Sequence, residues 1–166
     1  NIHLGVTGSD LVREKLANWN ARVTELAPMG FGGADLIVAV PQAWVDVSTL
    51  DDLDAAAAAF RRTHGFRLRI ATKYHRLVRE FLREKGVADY QLVDSQGATE
   101  GTVKNETAEA IADITSTGET LRANGLKILD DGLIHASQAT LFRGTRRDWT
   151  DEQRAKLKAL AMVLDV

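Results

Sequence analysis

Short apolar runs alternate with stretches of helical period along almost the whole sequence, and no other feature restricts the possible folds so strongly. Residues 2–6, 22–26, 35–40, 67–71, 90–93 and 110–114 read as strands, and Leu126 to Phe142 as extended pieces around Asp130-Asp131-Gly132. Between them, residues 9–17, 74–85, 119–124 and 151–164 read as helices, with another beginning after Ser48. Ser48 is expected to cap that helix, Asp51 and Asp52 to occupy its first turn, and Gly65 to end it; Gly86 and Gly125 are expected to end two others. The five alanines from Ala55 to Ala59 suit a helix packed closely on a sheet. Strands alternating with helices imply an open α/β sheet, in which ligands bind beyond the carboxyl ends of the strands.

Composition narrows the chemistry. The chain has 166 residues, 45% of them hydrophobic, and no cysteine, so a disulfide scaffold, a thiolate metal site and a cysteine nucleophile are all excluded. Its length suggests one domain, or two small lobes that strands would join. The strongest apolar run, Leu36 to Val40, is far shorter than the roughly 20 residues of a membrane helix, and no signal peptide is apparent. A soluble, cytoplasmic protein without a membrane partner is expected. The sequence opens at Asn1, without Met, directly on an apolar stretch, and reads like the middle of a domain. The four histidines, 3, 64, 75 and 135, lack metal-ligand spacing, and neither a P-loop nor a GxSxG elbow is present.

The net charge of -2 conceals an uneven distribution. Residues 61–85 hold nine Lys or Arg against Glu80 and Glu84, a net +7, and the remainder carries -9. Such a segment is either a solvated helix face with strand ends or a field that concentrates polyanions. A small phosphorylated ligand suits it better than nucleic acid, for which clustered aromatics are missing.

Four stretches carry candidate chemistry. In Ala110-Ile111-Ala112-Asp113-Ile114-Thr115-Ser116-Thr117-Gly118-Glu119-Thr120-Leu121 an acidic strand end precedes a hydroxyl-rich turn and a helix start. This is either an ordinary Ser/Thr cap or a cradle in which N–H groups and hydroxyls hold a phosphate while Asp113 accepts from sugar hydroxyls. In Gly5-Val6-Thr7-Gly8-Ser9-Asp10-Leu11, Asp10 is either a capping carboxylate or an acceptor for a ligand. Arg69-Ile70-Ala71-Thr72-Lys73-Tyr74 ends a strand inside the basic segment and delivers Lys73 to the ligand edge, where it either neutralises a phosphate or faces solvent. Glu100, in Gly97-Ala98-Thr99-Glu100-Gly101, either binds Mg²⁺ through water, orients a leaving group or starts a loop.

These motifs, in this order, together with Gly30-Phe31-Gly32, Leu36-Ile37-Val38-Ala39-Val40-Pro41 and Arg122-Ala123-Asn124-Gly125-Leu126, resemble the catalytic subunit of ATP phosphoribosyltransferase over residues 2–142. The resemblance implies a two-lobed α/β fold like the type II periplasmic binding proteins. Residues 1–34 and 135–166 would form lobe I, and residues 35–134 lobe II with the phosphate loop. It implies transfer of the phosphoribosyl group of phosphoribosyl pyrophosphate (PRPP) to N1 of ATP, with release of pyrophosphate and Mg²⁺ as cofactor, in the first step of histidine biosynthesis. By the same resemblance Asp113, Ser116, Thr117, Gly118, Glu119, Thr120 and Leu121 bind PRPP, and Asp10 and Leu11 lie near the purine nucleotide. Lys73 and Glu100 would contact phosphate or Mg²⁺.

Two departures from the family pattern set further expectations. The Pro-Lys-Gly-Arg type of segment that normally precedes the Gly-Val-Thr-Gly-Ser-Asp motif does not occur in this sequence. Lobe I would then be incomplete at its N-terminus, the catalytic groups would lie in the missing segment, and turnover by these 166 residues would be weak or absent. A non-catalytic small-anion or nucleotide-binding module of the same fold is the alternative. Glu119 stands where Ala or Arg is more usual and is expected to point away from a phosphate. The C-terminal end resembles the short form, which implies a homodimeric core and a regulatory subunit related to histidyl-tRNA synthetase.

Overall fold

The computed structural model describes residues 3–95, 97–145 and 148–164, and the chain divides into two compact units. Unit 1 takes Asn1–Gly33 and Ser137–Val166, and unit 2 takes Ala34–Ala136. Ile2, counted above in the first strand, lies outside the described residues.

Unit 1 contains β1 (Leu4–Gly8), α1 (Ser9–Lys15), α2 (Trp19–Arg22), β2 (Val23–Pro28), β8 (Ala139–Gly144) and α7 (Asp151–Leu164). Its sheet has the order β1-β8-β2, with both pairings antiparallel. Leu4 lies opposite Arg143 and Gly8 opposite Ala139, while the β2 register shifts between Glu25 and Ala27. The four-residue α2 escapes the sequence reading because one helical turn has no detectable period. It starts from Asn18 at φ 53°, a left-handed conformation that Asn tolerates better than most residues.

Unit 2 contains β3 (Ala34–Pro41), α3 (Leu50–His64), β4 (Leu68–Thr72), α4 (His75–Glu84), β5 (Tyr90–Asp94), α5 (Gly101–Lys104), β6 (Ala110–Thr115), α6 (Glu119–Ala123) and most of β7 (Leu126–Ser137). Its five strands lie in the order β5-β4-β6-β3-β7. β4 is parallel to both β5 and β6, whereas β3 runs antiparallel to β6. The sheet is therefore mixed, and the start of β3 at Asp35 lies beside the end of β6 at Thr115.

Burial on both faces explains the apolar run at its centre. Val38 and Val40 join one core with Leu50, Leu53 and Ala57 of α3 and Val78 and Leu82 of α4. Ile37 and Ala39 belong to a second core with Ile111 and Leu121. Side chains alternate across a strand, so a strand covered on both sides must be apolar at consecutive positions. Ala57, fully buried, is where the alanine run meets the core.

The cap of α3 differs from the expectation by one residue. Thr49 is the N-cap: its hydroxyl accepts from the Asp52 N–H, and the Asp52 carboxylate accepts from the N–H groups of Thr49 at 2.9 Å and Ser48 at 3.0 Å. Both residue types cap well, and the reciprocal bond from Asp52, three positions into the motif, selects Thr49. Gly65 ends the helix at φ 79°, in the left-handed region that glycine enters without a Cβ penalty. Among the described residues no helix is long and apolar enough to cross a membrane.

Candidate functional site

The parallel strands β4, β5 and β6 bring three carboxyl ends to one edge of the unit 2 sheet. Residues 72–73, 94–95 and 115–116 stand there, which is where open α/β sheets receive ligands. Buried hydroxyls tie the next turns to this edge. The Ser95 N–H donates to the Thr72 carbonyl at 3.3 Å, and the Thr99 hydroxyl donates to the Ser95 hydroxyl at 2.9 Å. Thr102 donates in turn to the Thr99 carbonyl at 2.6 Å. Thr72 and Thr99 have no exposed surface, so these bonds are shielded from water and hold Glu100 at the start of α5. Sequence reading treats this stretch as a loop, since α5, like α2, is a single turn.

After β6 the chain makes a tight turn. The Thr115 hydroxyl accepts from the Gly118 N–H at 2.9 Å, and the Thr117 hydroxyl accepts from the Glu119 N–H at 3.3 Å. Gly118, buried and at φ 73°, occupies the N-cap of α6, which has no side-chain cap. The threonines thus shape the turn, and glycine rather than Ser or Thr caps the helix. Arg122, quoted above within a motif but given no role at the site, folds back so that its guanidinium donates to the Thr117 carbonyl at 3.3 Å. Its spacing of four from Gly118, one helical turn, is the available signal.

A cavity of about 230 Å³ opens at this turn, lined by Glu100, Asp113, Ile114, Thr115, Ser116, Thr117, Thr120 and Leu121. Two acidic residues from different elements thus line one space with four hydroxyl-bearing residues, and no Lys or Arg is part of the lining. Such a wall accepts hydrogen bonds from sugar hydroxyls, or takes an anion together with a cation that offsets the carboxylates. Glu119 is exposed, and neither it nor buried Gly118 lines the cavity.

The remaining candidates lie elsewhere. The Lys73 ammonium donates to the Gly97 carbonyl at 2.8 Å, tying β4 to the turn before Glu100, and does not line the cavity. Beside it His75 contacts the Asp94 carboxylate across the β4–β5 edge. In unit 1, Asp10 is only 5% exposed and accepts from the Ser137 hydroxyl at 2.6 Å, while Ser137 Oγ accepts from the Asp10 N–H at 3.2 Å. The neighbouring Leu11 is 45% exposed. The +7 segment does not act as a single wall. Lys73 and Arg76 follow β4, whereas Arg61, Arg62 and Arg67 precede it and Arg83 and Lys85 stand at the far end of α4. The ends of two helices, α3 and α4, and the strand β4 between them distribute the charges to both edges of the sheet.

The sequence pattern of the family described as HisG: ATP phosphoribosyltransferase matches residues 1–165. The chain belongs to the ATP phosphoribosyltransferase family. A relative of that name from Cereibacter sphaeroides is 79% identical over 150 residues, and the match covers 90% of this chain and 64% of the relative. The family member from Bradyrhizobium sp. is 52% identical, covering 96% of this chain and 49% of its own length. The chain therefore spans about half to two thirds of the curated family members it matches. A solved ATP phosphoribosyl transferase (HisG:HisZ) complex from Thermotoga maritima shares the fold at 20% identity, with a TM-score of 0.68 over 98% of this chain and 67% of that one. A periplasmic transporter matches at a TM-score of 0.56 and 13% identity, over 97% of this chain and 63% of that one. A putative L-cystine ABC transporter from Listeria monocytogenes matches at 0.53 and 15%, over 92% and 61%. The chain thus has the type II periplasmic-binding-protein-like fold that the resemblance implies.

Proposed function

We propose that this chain belongs to an ATP phosphoribosyltransferase that joins the phosphoribosyl group of PRPP to N1 of ATP, releases pyrophosphate and opens histidine biosynthesis. The supporting observation is the 230 Å³ cavity at the carboxyl end of β6, where a carboxylate, several hydroxyls and a glycine-capped turn converge. In this reading Asp113 accepts from the ribose hydroxyls. Ser116, Thr117 and Thr120 donate to the 5-phosphate, and the backbone of Gly118, Glu119 and Leu121 completes the loop. Arg122 stiffens that loop through Thr117. Lys73 holds the turn that presents Glu100.

Loss of pyrophosphate builds positive charge on the ribose C1 and negative charge on the leaving group. Holding the ribose and distributing fixed charge around it are the chain's contributions, with no covalent intermediate required. The residues present fit Mg²⁺ as a partner of the substrate: Glu100 and Asp113 are hard oxygen donors, and this ion is usually held by one or two carboxylates plus substrate phosphates. Bound there, it would neutralise the departing pyrophosphate. The Asp10 carboxylate is already engaged by Ser137, so its part in nucleotide binding is to fix the start of α1, while exposed Leu11 offers an apolar contact to a purine. A cytoplasmic setting, a homodimeric core and a regulatory partner related to histidyl-tRNA synthetase complete the proposal, the last supported by the HisG:HisZ composition of the solved complex.

Calorimetry with PRPP and with ATP, alongside absorbance detection of phosphoribosyl-ATP, tests the reading. Asp113→Ala and Thr117→Ala are each expected to weaken PRPP binding by about 10-fold or more, from loss of hydrogen bonds to charged or polyhydroxyl groups, without changing ATP affinity. Unchanged PRPP affinity in both variants would remove the loop assignment.

A further inference from the structure

Six arginines of the basic segment fall into two groups. Arg61 pairs with Asp89, Arg69 with Glu109 and Arg76 with Glu80. Arg67, Arg79 and Arg83 have no carboxylate partner among the described residues, yet all three line one concavity of about 650 Å³. Arg67 enters it from the residue before β4, Arg79 and Arg83 from successive turns of α4, and Tyr90 from the start of β5. We propose that this amino edge of the β4–β5 pair is a second anion site, in which Arg67, Arg79 and Arg83 bind a small phosphorylated molecule.

Like charges four apart on a helix repel, and Arg79 and Arg83 keep that spacing without a compensating acid, whereas Arg76 has Glu80 at the same distance. Among the described residues of that helix end the acidic neighbours are Glu80, which pairs with Arg76, and exposed Glu84, and Asp89 beyond them is taken by Arg61. Burial pushes the Tyr90 hydroxyl up from its ordinary pKa while Arg79 and Arg83 oppose the shift, so both guanidinium charges reach the phenol. Guanidinium groups brought to one concavity by two elements, α4 and the residue before β4, offer paired donors that match phosphate oxygens. Tyr90 and Leu92 add an apolar wall for the organic part of the ligand, and the volume lies within the roughly 300–1,000 Å³ typical of small-molecule sites. The site is separate from the 113–121 turn, which stands at the opposite edge of the same sheet.

Amide and arginine Nε–H chemical shifts of the full chain, titrated with inorganic pyrophosphate and separately with ADP, read both edges at once. Saturable shifts are expected across Gly86 to Leu92 and at the three arginines. In R79Q/R83Q their midpoint should rise by about 10-fold or more, while the midpoint for Thr115 to Thr120 stays at the wild-type value. R67Q, which leaves α4 intact, should raise the same midpoint by about 3-fold or more and serves if the double variant does not fold. Shifts that never saturate and are reproduced by sodium chloride, or a midpoint unaltered by these substitutions, would overturn the site whatever happens at the 113–121 turn.

Discussion

A methyl group on Gly8 would land on the carboxylate of Asp10, the group that Ser137 holds in a nearly water-free position. Gly8→Ala must therefore displace either that carboxylate or the end of β1. Breaking a buried, charge-assisted bond costs about 1–3 kcal/mol, to be read from urea unfolding followed by circular dichroism. Gly5, in the same strand, has open space around its missing Cβ, so Gly5→Ala should cost much less; equal losses would disprove the steric account. The dependence of Asp10 on Ser137 spans 127 residues, and no local pattern in the sequence announces it. Asp113, Thr117 and Glu100 could be picked out because strand, turn and helix signals lie next to them. Their convergence on one cavity could not, since it depends on the order in which β4, β5 and β6 pair.

Elements were legible in proportion to their length. The 15-residue α3 and the doubly buried β3 carry enough apolar repeats to be recognised, whereas four-residue α2 and α5 do not. At the start of α3 the choice between Ser48 and Thr49 rests on one reciprocal bond. Thr49→Ala should destabilise the protein by about 1 kcal/mol, measured by thermal or urea unfolding, whereas Ser48→Ala should have little effect because its backbone N–H remains. Asp52 adds a pH dependence. The N–H groups of Ser48, then of Thr49, then the Thr49 hydroxyl hold its carboxyl below the ordinary 3.8. A depressed folded-state pKa gives stability that is present above the unfolded value and is lost as pH falls through the folded one. Urea midpoints for Asp52→Asn should consequently be lower than wild type at neutral pH and converge toward it below 3.8; a constant gap would show that the carboxylate's charge has no part.

At the scale of the molecule, unit 2 is an insertion into unit 1, entered at Ala34 and left after Ala136. Its first and last strands, β3 and β7, are neighbours in its sheet, and its two cores are made within residues 37–134. A fragment of residues 34–136 is expected to fold alone, giving a dispersed amide spectrum and cooperative unfolding; a collapsed or non-cooperative fragment would count against this independence. Unit 1 has the opposite dependence. β1 and β2 each pair with β8, which the chain supplies only after the insertion, so their sheet closes a loop of roughly 100 residues unless unit 2 has already drawn its ends together. On the ribosome, β1 and β2 emerge before β8, their partner in the sheet among the described residues, has been made. The inserted unit is free to finish first, and the period before β8 appears is when a nascent chain of this threading is most exposed to misassembly and most in need of a chaperone.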